Sequence, residues 1–168
     1  LGLAIVEALV EAGAKAVIID IDEKVFSICE QFKQKGYDVC AIKADISDRK
    51  QIKESFKSAI NFLEGKLDIL VNSAGIQRRC QSESFSENDW DDVISINLSA
   101  TFFYCQLAAN LMIPHGGGKI INIASMISFF GGITIPAYAA SKGGVAQLTK
   151  AFSNDWASKG INVNAIAP

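Results

Sequence analysis

Five short apolar runs alternate with stretches of helical periodicity, and that alternation constrains the fold more than any other feature of the chain. The runs are 16–20 (AVIID), 38–43 (DVCAIK), 67–71 (LDILV), 119–124 (KIINIA) and 161–166 (INVNAI). Between them the period changes. Leu1, Ile5, Ala8, Leu9 and Ala12 share one helical face, and Gly13 is a terminator for that helix. Further helices are predicted over about 23–35, from Ser47 or Asp48 to about 63, from Ser86 to 112, and over about 138–158. Ser86 and Asp89 have the spacing of a capping box, and a break is expected near Asn97. Short strands that are apolar almost throughout are covered on both faces, and strand–helix alternation covers them that way. The expectation is an α/β fold with a doubly wound parallel sheet, in one domain over 1–168 with no repeat or linker. The chain opens without methionine in what reads as the middle of a helix and stops at Pro168 directly after an apolar run, so both ends look cut.

Charge and cysteine content narrow the function classes. Sixteen basic and eighteen acidic residues are interspersed, for a formal charge of −2, which argues against a nucleic-acid footprint or a polybasic membrane patch. The apolar runs read as too short and too interrupted to span a bilayer, and no charged-then-apolar signal opens the sequence. Cys29, Cys40, Cys80 and Cys105 are widely spaced without a CxxC, and His115 is the one histidine. No metal site is expected, and the thiols read as reduced cysteines of a cytoplasmic protein.

Chemistry is concentrated at 138–142, YAASK. On a helix, Tyr138 and Lys142 project from one face, one turn apart. A free phenol titrates near pH ~10, and an adjacent ammonium favours the phenolate, which suits the phenol to general acid–base work. Ser125 lies thirteen residues upstream, where the strand KIINIA would deliver it to the same place. In open parallel sheets ligands sit beyond the carboxyl ends of the strands. Those ends hold Asp20, Ala44 and Asp45, Asn72 to Gly75, Ser125 and Pro168. Asp20 follows Gly2 by eighteen residues, near the spacing at which an acid after a glycine turn binds the ribose of a dinucleotide. A carboxylate there accepts from a ribose 2′-hydroxyl and repels a 2′-phosphate, favouring NAD over NADP; the alternative is a solvated loop acid.

NSAG at 72–75, Asn97 within SINLSATF, INIAS ending at Ser125, YAASK and INVNAIAP at 161–168 together resemble, in order and spacing, the short-chain dehydrogenases/reductases. The resemblance covers the whole chain. It implies a Rossmann-like, three-layer α/β/α fold, here lacking its first strand and C-terminal part. It implies Tyr138 as proton donor or acceptor, with Lys142 lowering its pKa and holding the nicotinamide ribose. Ser125 would bind the substrate oxygen, and Asn97 would anchor a water of the proton relay. Gly2, Asp20, Asp45, Ile46, Asn72, Ala74, Gly75 and Pro168 would line the cofactor together with Tyr138 and Lys142. Other readings stay open: Asn97 as a helix interruption, and Asp45 as an N-cap or turn residue. Ser73 departs from the family, which usually has a second asparagine there, so an adjusted turn is expected.

Arg78 and Arg79 follow the NSAG turn, and arginine suits bidentate carboxylate recognition. NSAGIQRR and ASMISFFGGITIPAYAASKGG look most like the sugar-acid dehydrogenases of the family. The implied activity is an NAD-dependent oxidoreductase acting on a secondary alcohol or ketone of a deoxygluconate-type sugar acid, with Arg78 or Arg79 on its carboxylate. Solvated loop arginines are the other reading. The alternatives are a 3-oxoacyl-carrier-protein reductase or other carbonyl reductase, and a cofactor-binding regulatory protein. The segment TFFYCQLAANLMI has little that wants water, from which a homodimer or homotetramer is expected.

Overall fold

Each apolar run becomes a strand and each periodic stretch a helix in the computed structural model, which describes residues 1–168. The strands fall in two sheets where one is expected, and the chain divides into two units, Leu1–Lys66 and Leu67–Pro168. Periodicity fixes a strand and its buried face; it carries no local signal for which strand lies beside it.

The first unit runs α1 (Gly2–Glu11), β1 (Ala16–Asp20), α2 (Lys24–Gln34), β2 (Val39–Lys43) and α3 (Arg49–Phe62). β1 and β2 pair in parallel from Ala16 opposite Val39 to Asp20 opposite Lys43. Val25, Cys29 and Phe32 form the buried stripe of α2, and Cys29 and Phe32 join Val10 and Val39 in the core. α3 is capped by Asp48, whose carboxylate accepts from Lys50 N–H at 2.8 Å.

The second unit holds β3 (Ile69–Asn72), α4 (Glu87–Ile94), α5 (Ala100–Met112), β4 (Gly118–Ile123), α6 (Ile127–Phe130), α7 (Pro136–Trp156) and β5 (Ile161–Ile166). Its parallel sheet has the order β3-β4-β5. Central β4 buries Ile120 and Asn122 completely. Edge strand β5 instead alternates, with Ile161 and Val163 buried and Asn162 and Asn164 exposed, because only one of its faces is covered. Ser86 caps α4 as its spacing predicts: its Oγ accepts from Asp89 N–H at 3.1 Å and donates to Asp89 Oδ2 at 2.9 Å. The turn after β4 carries α6, which is too short for periodicity to reveal.

The break expected near Asn97 is a wide π turn, Ser95–Ser99, joining α4 to α5. The continuous helical segment Glu87–His115 is, by length and composition, long and apolar enough to cross a membrane, contrary to the sequence expectation. Its apolar residues serve a core: Val93, Ala100, Cys105, Ala108 and Met112 are at most 1% exposed. α7 begins with Pro136 at its first turn, where a missing N–H costs nothing. Its buried stripe is Ala137, Ser141, Lys142, Val145, Thr149 and Phe152. An ammonium and two hydroxyls in a core-facing stripe demand partners, and those partners build the site.

Candidate active site

Lys142 is only 4% exposed. Its Nζ donates to the Ile123 carbonyl, the last of β4, at 2.5 Å. Desolvation by burial holds its pKa below the ordinary lysine value. The ammonium lies 5.9 Å from the centroid of the Tyr138 ring, as expected for residues one turn apart on α7. Tyr138 is half-buried. One of the three N–H donors of Lys142 is engaged at Ile123, leaving two for other acceptors.

Ser125 stands two residues beyond Ile123, at the carboxyl end of β4, and is 9% exposed. Its Oγ accepts from Ile127 N–H at 3.3 Å, so its own hydroxyl proton is free to be donated. Ser128, which no sequence motif singled out, binds around it: Ser128 Oγ accepts from Ser125 N–H at 3.2 Å and donates to the Lys142 carbonyl at 2.8 Å.

Asn97 sits in the π turn, 1% exposed. Its Oδ1 accepts from Ile76 N–H at 2.8 Å; its Nδ2 donates to the Ile76 carbonyl at 2.9 Å and to Ser141 Oγ at 3.1 Å. Ser141 Oγ in turn donates to the Tyr138 carbonyl at 2.8 Å. Asn97 is therefore more than a helix interruption. It ties the segment after β3 to the helix that carries Tyr138 and Lys142. Gly75 has no side chain because this clamp occupies the space: a Cβ there would lie 3.2 Å from Asn97 Oδ1 and 3.7 Å from Lys142 Nζ.

Two expectations about the cofactor's path change. Asn72 turns its amide inward, with Nδ2 donating to Asn122 Oδ1 at 2.9 Å and to Cys105 Sγ at 3.3 Å. Asn122 Nδ2 donates onward to Thr149 Oγ1 at 3.0 Å, completing a buried network from β3 through β4 to α7. A polar side chain inside this core is satisfied by neighbours, and its alternation position on β3 decides which way it faces. The Asp45 carboxylate is held locally, its Oδ1 accepting from Ser47 N–H at 2.8 Å and Ser47 Oγ at 2.7 Å, so the turn reading describes it best. Asp48, not Asp45, is the N-cap.

The remaining candidates lie at or near element ends. Asp20 closes β1, exposed, its Oδ1 accepting from Asp22 N–H at 2.9 Å. Gly2 opens α1, Ile46 is half-buried after β2, and Ala74 is exposed after β3. The Pro168 carbonyl accepts from Met126 N–H at 3.1 Å, beside the Ser125 turn. Arg78 is paired, with Nε 3.2 Å from Asp89 and a terminal nitrogen 3.8 Å from Asp92. Arg79 is exposed and has no such ion pair. In its donor set the second unit fits a nicotinamide and its ribose, with a side-chain-free backbone at Gly75, a phenol and an ammonium. The first unit, taken by itself, ends β1 on an exposed carboxylate, a group that suits ribose hydroxyls.

A family model described as short chain dehydrogenase matches residues 1–168. The chain is 44% identical over 168 residues to 2-dehydro-3-deoxy-D-gluconate 5-dehydrogenase of Bacillus subtilis, covering 100% of this chain and 65% of that protein. It is 46% identical to the Escherichia coli protein of the same name, covering 100% of this chain and 66% of that one. Among solved structures it superposes, with a TM-score of 0.89 at 40% identity, on a gluconate 5-dehydrogenase from Burkholderia cenocepacia in complex with NADP and tartrate. That match covers 99% of this chain and 66% of the other. The chain thus spans just under two thirds of the length of the relatives it matches, and the fold is Rossmann-like.

Proposed function

The chain belongs to the short-chain dehydrogenase family, and from that premise we propose that it serves a nicotinamide-dependent oxidoreductase that interconverts a secondary alcohol and a ketone on a sugar acid. The observation that carries the proposal is the double attachment of Lys142. Its ammonium is tied to Ile123 and its carbonyl to Ser128, which holds α7 against the Ser125 turn from both sides.

In the oxidation direction Tyr138 takes the proton from the substrate hydroxyl, and in reduction it returns one to the carbonyl oxygen. Ser125 donates its free hydroxyl proton to that same oxygen and fixes its position. Lys142 sets its ammonium 5.9 Å from the centroid of the Tyr138 ring, adding positive charge beside the group that exchanges the proton. A bound nicotinamide would accept or deliver the hydride. Within the second unit Lys142 and Gly75 are the residues that would hold the nicotinamide ribose. The first unit, by itself, offers Asp20 as an acceptor for ribose hydroxyls.

Asp20, Asp22 and Glu23 gather acidic charge at the end of β1, and Lys43, opposite Asp20 in the register, is held by Glu23 at 2.7 Å. That supports NAD, since a 2′-phosphate finds no free cation on this pair of strands. The Burkholderia relative was solved with NADP, so the two cofactors must be compared directly. Arg78 is engaged by Asp89 and Asp92, which leaves Arg79 to receive the substrate carboxylate. The aromatic row Phe102, Phe152 and Trp156 joins α5 to α7, with Phe152 and Trp156 stacked at 4.4 Å. These rings pack α5 on α7 within one chain; whether the same helices also build a homo-oligomer is what light scattering of the native protein would measure.

The deciding experiment follows reduced-nicotinamide absorbance of the native full-length protein with aldonates, polyols and β-ketoacyl thioesters, each with NAD(H) and NADP(H). Turnover of an aldonate or keto-aldonate is expected, faster with NAD(H). Turnover of thioesters alone would overturn the substrate class, and equal or greater activity with NADP(H) would overturn the role given to Asp20.

A further inference from the structure

Ser128 takes part in none of the motifs that define the site, yet it touches two of the residues that carry the proposed chemistry. Its Oγ accepts from Ser125 N–H at 3.2 Å and donates to the Lys142 carbonyl at 2.8 Å. Its own N–H donates to the Ser125 carbonyl at 3.0 Å. With the Ile127 N–H on Ser125 Oγ at 3.3 Å, the backbone and the hydroxyl of Ser125 are all held from within one turn. A hydroxyl has one proton to give and lone pairs to receive with. Ser128 uses the proton on α7 and a lone pair on the end of β4, so one oxygen joins the two elements.

We propose that Ser128 is a positioning residue for the proposed hydride-transfer reaction, setting where the Ser125 hydroxyl stands relative to Tyr138 and Lys142. This rests on the oxidoreductase reading above. The side-chain attachment of Lys142 to Ile123 brings α7 to the strand, and Met126 N–H on the Pro168 carbonyl holds the start of the turn that follows, but neither ties that turn to α7. The Ser128 bridge supplies that tie three residues past the reacting hydroxyl. Displacement of about 1 Å at a reacting group costs up to roughly a hundredfold in rate, so a single lost bridge is enough to matter.

Ser128→Ala and Ser128→Thr, made in the native full-length protein, test this. The alanine variant should lose roughly 10- to 100-fold in kcat with its KM for the nicotinamide cofactor unchanged. Threonine keeps the hydroxyl on a half-buried residue and should restore the rate. An unchanged kcat in Ser128→Ala would overturn the proposal, as would a loss that threonine does not rescue. Amide hydrogen exchange gives a readout independent of turnover. Ser125 N–H should be protected in the unmodified protein and exchange faster in Ser128→Ala. An unprotected Ser125 amide in the unmodified protein would overturn the proposal even if the alanine variant failed to fold. Absence of any dehydrogenase activity in the unmodified protein would instead overturn the oxidoreductase reading, with the exchange result still deciding whether the bridge exists.

Discussion

Asn97 and Ile76 exchange two hydrogen bonds, the side-chain amide of one matched to the backbone N–H and C=O of the other at 2.8 and 2.9 Å. A side chain here pairs with backbone as a neighbouring strand would, and a third bond, to Ser141, fixes its remaining N–H. The amide cannot rotate or retreat without breaking at least one of these.

Gly75→Ala is the direct test of that clamp. The new methyl would lie 3.2 Å from Asn97 Oδ1, against a group with no room to yield. The expected cost is roughly 1–3 kcal/mol of stability, with turnover falling as Asn97 and Lys142 shift. Denaturant unfolding beside steady-state rates measures both; an alanine variant as stable and active as the original would mean that the clamp is loose.

Tyr138→Phe separates proton transfer from binding. The half-buried ring keeps its packing and its place beside Lys142 when the hydroxyl goes. Turnover should drop roughly 10²- to 10⁴-fold while the dissociation constant of the reduced cofactor stays constant. Activity surviving at the original level would remove Tyr138 from the reaction.

Lys142 makes stability depend on pH with a definite sign. Burial lowers its pKa below 10.5 in the folded chain, and unfolding restores the ordinary value. Between the two the unfolded state binds more protons, so stability rises with pH across that window and is least below it. Lys142→Met lacks this contribution. The melting temperature of the original protein should therefore gain on that of the variant as pH approaches 10.5. Parallel curves would show that the ammonium is not desolvated.

Cys105 should be the silent thiol. It is fully buried, and burial pushes its pKa up to about 12 against the smaller opposing effect of the Asn72 and Asn122 amides. In native protein at pH ~8, iodoacetamide should label the half-buried Cys40 and Cys80 first and leave Cys105 unmodified until urea unfolds the chain. Peptide mapping that found Cys105 among the first labelled would contradict the buried network around it.

Much of this structure is legible because it is local. The strand 161–166 is found where its apolar run lies, Ser86 caps α4 at the predicted spacing, and the helix breaks at Asn97. Tyr138 and Lys142 share a face because four residues make about one turn. What the sequence did not disclose depends on partners distant along the chain. Asn72 looked like a residue at a strand end facing a ligand, but its partners Asn122 and Cys105 lie 50 and 33 residues away and draw it inward. Ser128 sits in a run, ISFFGG, whose apolar character hides a hydroxyl that matters only once Lys142 arrives 14 residues later. Arg78 and Arg79 were indistinguishable until the acidic residues of α4 took one of them.

The π turn at Ser95–Ser99 holds one residue more than an ordinary helix needs to pass from α4 to α5. Deleting a residue there would let both helices continue as a single regular rod with their inward faces still in phase. Asn97, though, would lose the widened backbone from which it reaches Ile76 and Ser141. At this point one extra residue is what lets Asn97 tie the segment after β3 to α7, so natural variants of the segment should tolerate substitution far better than shortening.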